Sequence, residues 1–310
     1  MKDILVGYSG FVGTNIAEKH SFEGLYNSKN IEQSYGTNPE LLVYAGVPSA
    51  MFLANNFPEK DFEVIENAMK NIKMINPKII VLISTIAIYD NPVDVDETAE
   101  INIAKLTTYG KNRLLLEQFV EKNYDNYLIV RLPALFGKGL KKNFIYDYIN
   151  IVPALLTVAK FEELIAKNDL IKKFYKLQDN GFYKCKYVDN EEKNLLKEYF
   201  NSIGFSALNF TDSRSVYQFY DLSNLWKHIE KALKLGIKKL NLATEPISVQ
   251  ELYKELSDKD FQNKLNKTPF YYNYKTLYAN QLCGTKGYIY SKKEVIRQIK
   301  DFIKTQHEGN

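Results

Sequence analysis

A chain of 310 residues is longer than one average domain and short for three, so its length favours one larger domain with a smaller partner. Hydrophobic residues at 45% and charged residues at 25% give the balance of a globular protein and exclude disordered and collagen-like classes. A net charge of +4 from 41 basic and 37 acidic residues, mixed along the chain, is too weak and dispersed for nucleic acid and leaves anionic small ligands open.

Two cysteines, Cys185 and Cys283, without CxxC spacing, and three scattered histidines, His20, His228 and His307, support neither a disulfide framework nor a metal site. They point to a reducing, cytoplasmic setting. The chain enters a strand-like run within three residues, which leaves no room for a signal peptide. The apolar stretch 149–159 falls short of the roughly 20 residues a spanning helix needs, and Pro153 interrupts it, so no membrane partner is expected.

In chain order, the apolar runs 4–6, 41–44, 79–84 and 127–131 predict buried parallel strands, with 25–27 a weaker one. Between them, residues 62–75 and 107–122 repeat apolar side chains at three and four, and Pro77 closes the first of these helices. Alternation of this kind predicts an α/β fold, a Rossmann-type doubly wound parallel sheet. The dinucleotide-binding domain is expected over 1–150 and a smaller, mostly helical C-terminal substrate lobe over 151–310. In the latter, 161–177 and 191–200 read as lysine-rich helices around an aromatic, polar segment, 179–189. Residues 222–235, ended by Gly236, then predict a helix and 240–243 a strand, so segment 216–243 is expected to return to the first domain. The lysines between 160 and 193 read as solvated helix faces, and the aromatics at 270–274 as packing.

The first strand runs into Gly7-Tyr8-Ser9-Gly10-Phe11-Val12-Gly13 at a strand-to-helix junction. Tight turning, close approach of a pyrophosphate and close helix packing each exclude a side chain there, while the helix N-terminus offers N–H groups to phosphates. After the second strand an acidic residue usually holds the ribose hydroxyls, but here the stretch is Asn27-Ser28-Lys29. A hydroxyl and a cation suit a 2′-phosphate, so the cofactor reading is NADP or NAD with a lean to NADP.

The GxxGxxG spacing with Phe11-Val12 resembles the extended short-chain dehydrogenase/reductases, the NAD-dependent epimerase/dehydratase family that modifies nucleotide sugars. Tyr44-Ala45-Gly46 resembles the family's dinucleotide-lining stretch, and Ser84-Thr85-Ile86-Ala87 the strand end that carries a catalytic hydroxyl, here Thr85. Tyr109-Gly110-Lys111-Asn112-Arg113 is similar to the family's YxxxK helix, with Tyr109 as proton donor or acceptor and Arg113 where lysine is usual. The resemblance implies that Tyr109 and Thr85 bind the substrate oxygen, while Arg113 holds ribose and depresses the Tyr109 pKa. It further implies that backbone around Pro133 faces the nicotinamide, that Asn143 and Arg214 bind a nucleotide diphosphate, and that the chain is a homodimer.

Ile86-Ala87 stands where the dehydratase branch carries an Asp-Glu pair, which disfavours dehydration. Reduction of a keto-sugar and epimerisation with tightly held NAD both stay open, with a lean to reduction. A non-catalytic dinucleotide or nucleotide-sugar binder, marked by Arg113, is the rival from another class.

Overall fold

A computed structural model describes residues 2–186 and 189–308. The side chain of His307, and Tyr187 and Val188 of the 179–189 segment, lie outside the described residues. In chain order the chain forms β1 (Asp3–Val6), α1 (Phe11–Ala17), β2 (Gly24–Tyr26), β3 (Leu41–Tyr44), α2 (Met51–Asn56), α3 (Pro58–Ile75), β4 (Ile79–Thr85), α4 (Thr108–Asn123), β5 (Tyr127–Leu132) and β6 (Ala134–Phe136). Next come α5 (Phe144–Ile149), β7 (Leu155–Thr157), α6 (Val158–Lys167), β8 (Tyr175–Leu177), β9 (Phe182–Cys185) and α7 (Asn190–Ser202). The remainder is β10 (Val216–Tyr217), β11 (Phe219–Asp221), α8 (Leu225–Lys234), β12 (Lys239–Asn241), β13 (Ile247–Ser248), α9 (Val249–Ser257) and α10 (Lys292–Glu308).

Two compact units result, one from residues 1–140, 216–248 and 270–310, the other from 141–215 and 249–269. The first unit thus ends its leading segment at Leu140 rather than near 150, and it reclaims 270–310, which was expected in the substrate lobe. Backbone pairing explains the second difference: Ile289 N–H donates to the Ala243 carbonyl at 2.8 Å, and Glu245 N–H to that of Tyr290 at 2.9 Å.

In the first unit six strands pair in parallel in the order β12-β5-β4-β3-β1-β2. Strand side chains alternate faces, so Leu5, Val43, Val81 and Val130 bury on one side with Ile16 of α1 and Trp226 and Ile229 of α8. Ile4, Leu42, Ile80 and Ile129 bury on the other with Ile65, Ile72 and Ile75 of α3 and Leu116 and Val120 of α4. Both faces are covered, as near-continuous apolar strands require. The chain leaves β1 for β2 at one edge and returns past β1 to β3, which makes the β1/β3 crevice the switch point where doubly wound sheets bind ligands.

A buried polar chain crosses the same sheet. Ser84 Oγ donates to Glu117 Oε1 at 2.5 Å, and Arg131 Nη2 to Glu117 Oε2 at 2.7 Å. Arg131 Nη1 also donates to the Tyr89 hydroxyl at 2.8 Å, which in turn receives Asn241 Nδ2 of β12 at 3.0 Å.

The second unit holds α5, α6, α7 and α9 with an antiparallel sheet, β7-β9-β8, around Leu156, Phe161, Phe174, Leu196 and Phe200. The helix expected over 161–177 stops at Lys167. Asn168 Oδ1 accepts from Leu170 N–H at 2.8 Å and turns the chain, after which Tyr175–Leu177 is strand. These strands of three or four residues are too short to show a period of two.

Candidate functional site

At the switch point the glycines do what their spacing predicts. Gly7 has φ +90°, and a Cβ there would lie 2.4 Å from the Ala45 carbonyl oxygen; one on Gly13 would lie 2.1 Å from that of Gly7. Only hydrogen fits at either position. Gly10 N–H donates to Gly7 O at 3.0 Å, and Gly10 caps α1 without a side-chain acceptor. Gly46, across the crevice, is exposed. Asn27 Nδ2 donates to Ser9 Oγ at 3.2 Å, which links the turn after β2 to the glycine loop, and Ser28 and Lys29 are exposed beside it.

At the end of β4, Thr85 takes extended backbone and its Oγ1 accepts from Ala87 N–H at 3.2 Å, starting a short 3-10 turn. Helix α4 presses onto this turn through Gly110, where a Cβ would meet the Ala87 carbonyl oxygen at 2.4 Å. That close approach sets Tyr109 beside Thr85. Thr107 Oγ1 caps the helix, accepting from Gly110 N–H at 3.3 Å, and Asn55 Oδ1 accepts from Tyr109 N–H at 3.0 Å. Ile86 is buried in a core cluster, so the position that would carry a dehydratase acid packs apolar surface. Pro133 follows β5, half-buried, at the same end of the sheet.

One turn along α4, Arg113 stacks on the Tyr109 ring with its guanidinium carbon 4.2 Å from the centroid. The guanidinium is held by Asp61 at the start of α3: Nη1 donates to Oδ2 at 2.8 Å and Nη2 to Oδ1 at 3.0 Å. Nη2 also donates to the Pro48 carbonyl at 2.8 Å, and Asn112 Nδ2 joins Asp61 Oδ2 at 2.9 Å. Both partners are buried, with side chains 6% and 9% exposed. The Tyr109 phenol is not depressed overall. Burial raises its pKa above the ordinary value, the Arg113 charge and the Thr85 hydroxyl pull it down, and the Asp61 carboxylate opposes them. Arg113 thus lowers the phenol as the sequence leads one to expect, but burial outweighs it and sets the net direction, with the Asp61 carboxylate, 52 residues away, adding a smaller upward push.

In the second unit, Asn143 has φ +101°, unusual for a side-chain-bearing residue, and its Oδ1 caps α5 by accepting from Ile145 N–H at 3.0 Å and Tyr146 N–H at 3.2 Å. Arg214 forks onto Asp212, with Nε to Oδ1 at 2.9 Å and Nη2 to Oδ2 at 2.7 Å, and Nη2 reaches the Leu265 carbonyl at 3.2 Å. Hydrogen bonds from Arg214 hold the Asp212 carboxyl well below its usual range. Gln218 cross-links the first unit by donating to the Thr244 and Tyr274 carbonyls.

The residues that sequence reasoning missed are Asp61, Asn55 and Asn112. Asp61 shows only as an acidic residue in the first turn of a helix, a common placement that favours the helix dipole. Among the described residues no group of three or more His, Cys, Asp and Glu side chains is placed to hold a metal, and no helix is long and apolar enough to cross a membrane.

No protein-family model and no curated protein matches the chain. Solved structures do. The dTDP-4-dehydrorhamnose reductase of Bacillus anthracis str. Ames, in complex with NADP, is 16% identical with TM-score 0.62 over 96% of this chain and 98% of that one. The UDP-N-acetylglucosamine 4-epimerase of Methanobrevibacter ruminantium M1, in complex with UDP-N-acetylmuramic acid, is 11% identical with TM-score 0.60 over 100% and 99%. The UDP-glucose 4-epimerase of Thermotoga maritima, with UDP-glucose, is 12% identical with TM-score 0.56 over 100% and 99%. They belong to the extended short-chain dehydrogenase/reductase superfamily, and at these identities the likeness shows a shared fold.

Proposed function

We propose that the chain is an NAD(P)-dependent oxidoreductase that reduces the ketone of a nucleotide sugar, with Tyr109 as proton donor. The observation that carries the reading is the pairing of Tyr109 with Thr85 at the strand ends that also form the glycine crevice, held there by the Gly110–Ala87 contact. Gly7, Ser9, Gly10, Phe11, Val12 and Gly13 would hold the pyrophosphate side of the dinucleotide, and Ala45, Gly46 and Pro133 would line it. Their fit rests on a loop packed so tightly on its own backbone that no Cβ fits at Gly7 or Gly13. The turn at Asn27, Ser28 and Lys29 lacks a carboxylate and offers Ser9, Ser28 and Lys29 to a 2′-phosphate, which supports NADP.

When bound, the dinucleotide supplies a hydride to the carbonyl carbon. Thr85 orients the carbonyl oxygen by hydrogen bonding, and Tyr109 gives its proton to that oxygen as negative charge develops there. A phenol held above its ordinary pKa is fully protonated at neutral pH, which suits reduction. Epimerisation begins by taking a proton from an alcohol, a task that needs phenolate, so the same raised pKa weighs against it. Asn143 and Arg214, in the second unit, are the residues that the family resemblance assigns to the diphosphate of the substrate. The nucleotide-sugar enzymes that share this fold support that substrate class.

The test is single-turnover oxidation of NADPH with a panel of nucleotide 4-keto-sugars. Tyr109→Phe should bind NADPH as the wild type does and lose about 10²- to 10⁴-fold in rate. An unchanged rate would remove Tyr109 from the reaction. The second reading, a dinucleotide binder without turnover, is favoured by the commitment of Arg113 to Asp61 and predicts NADPH binding with no oxidation of NADPH by any sugar in the panel.

A further inference from the structure

Among the described residues, the groups that carry charge or a polar hydrogen and act on the Tyr109 phenol come from three elements. From its own helix comes Arg113, from α3 Asp61, and from the end of β4 the Thr85 hydroxyl; from α2, Asn55 binds the Tyr109 backbone. Arg113 lies on the ring itself, within 4.2 Å of its centroid. A lone guanidinium at that distance in a buried site would be the dominant influence on the phenol. It is not alone. Asp61 meets it with two parallel hydrogen bonds, and Asn112 and the Pro48 carbonyl fix the pair from either side.

We propose that Asp61 is a positioning residue for the reaction: by taking the Arg113 guanidinium in a two-point ion pair, it fixes that cation on the Tyr109 face and cancels its charge, so that Tyr109 works as a proton donor and not as a base. The inference rests on the reading of Tyr109 as the acid and adds what sets its direction. The pair is buried, so little solvent screens it; burial is the main influence against the effect of the cation on the phenol, and the carboxylate in contact with the guanidinium adds to it. Asp61 sits in the first turn of α3, so the start of that helix fixes where the carboxylate meets the guanidinium.

The experiment is a ¹³C NMR titration of the full-length protein carrying [¹³Cζ]tyrosine, with the Tyr109 resonance assigned by its loss in Tyr109→Phe. In the wild type that resonance should stay in the phenol position throughout the pH range in which the fold holds. In Asp61→Asn, which keeps the shape and removes the charge, it should begin to titrate at lower pH, and NADPH oxidation should fall with it on the alkaline side while KM changes little. A Tyr109 titration unchanged in folded Asp61→Asn overturns the proposal. Should that variant fail to fold, Arg113→Gln carries the test in reverse: the Asp61 charge is then left facing the phenol, and the Tyr109 resonance should titrate at higher pH than before or not at all. An earlier titration in Arg113→Gln would mean that the Asp61 charge does not act on the phenol and would also overturn it. NADPH fluorescence on the same samples separates the two levels. If the wild type does not bind NADPH, the reading of the site fails and the inference with it, whereas bound NADPH with an unmoved Tyr109 fails the inference alone.

Discussion

Gly13 packs against the carbonyl of Gly7 so closely that a methyl group would sit 2.1 Å from the oxygen. Gly13→Ala should therefore force the loop open at the place where it must approach a pyrophosphate, and NADPH affinity should drop about tenfold or more in a fluorescence titration while the sheet stays folded. A second residue-scale prediction concerns His228, which is buried on α8 with its Nδ1 2.5 Å from the Tyr220 hydroxyl. Burial, aided by Lys227 and Lys231, lowers its pKa to about 4. The folded state thus binds this proton less readily than the unfolded chain, so its contribution is intact above about pH 6.5 and is lost as pH falls toward 4. The loss is roughly 3 kcal/mol. Thermal unfolding followed between these limits should show a steeper decline in Tm for the wild type than for His228→Gln, and parallel curves would exclude His228 as the source.

At the scale of elements, α4 repeats one device three times along one face. Tyr109, Arg113 and Glu117 fall four residues apart, each buried and each joined to another strand or helix. Gly110→Ala would drive its Cβ into the Ala87 carbonyl and lift the helix from the end of β4. Rates should fall more than NADPH affinity, because the glycine loop lies on α1, and stability should fall by about 1–3 kcal/mol in denaturant unfolding. Glu117→Ala leaves the Arg131 guanidinium buried without its carboxylate, a loss of about 3–5 kcal/mol. Much of this architecture is legible from sequence. Strands β1, β3, β4 and β5 are apolar runs, α3 and α4 carry helical periodicity, and the glycine spacing locates the crevice. What is not legible is contact between residues distant in the chain: nothing near Arg113 announces Asp61, and nothing in residues 161–177 announces that Asn168 ends a helix and opens a strand. The final helix, α10, escaped notice because its charged residues mask the apolar stripe of Val295, Ile296 and Ile299.

For the whole molecule, two expectations follow. Phe62 is 40% exposed on α3 and lines an open cleft of about 480 Å³ with Pro58, Glu59 and Thr108. We propose that a second copy packs there. Phe62→Glu should then shift the sedimentation coefficient from dimer to monomer, and a wild type already monomeric at high concentration would reject the dimer. The other expectation concerns continuity, since the first unit is completed by segments on both sides of residues 141–215. A chain cut after Ser215 lacks α8 and β12, which cover one sheet face and one sheet edge, and it should show no cooperative unfolding transition by circular dichroism. The position of β12 also imposes a timetable on synthesis. β5 leaves the ribosome by Leu132, but the strand that pairs with its outer side is not made until Lys239–Asn241, and at ordinary elongation rates that interval is on the order of ten seconds. Throughout it the nascent sheet presents Ile129, Val130 and Arg131 with open backbone groups, a template for any other extended chain nearby, so the yield of folded protein should depend on how fast residues 133–238 are translated.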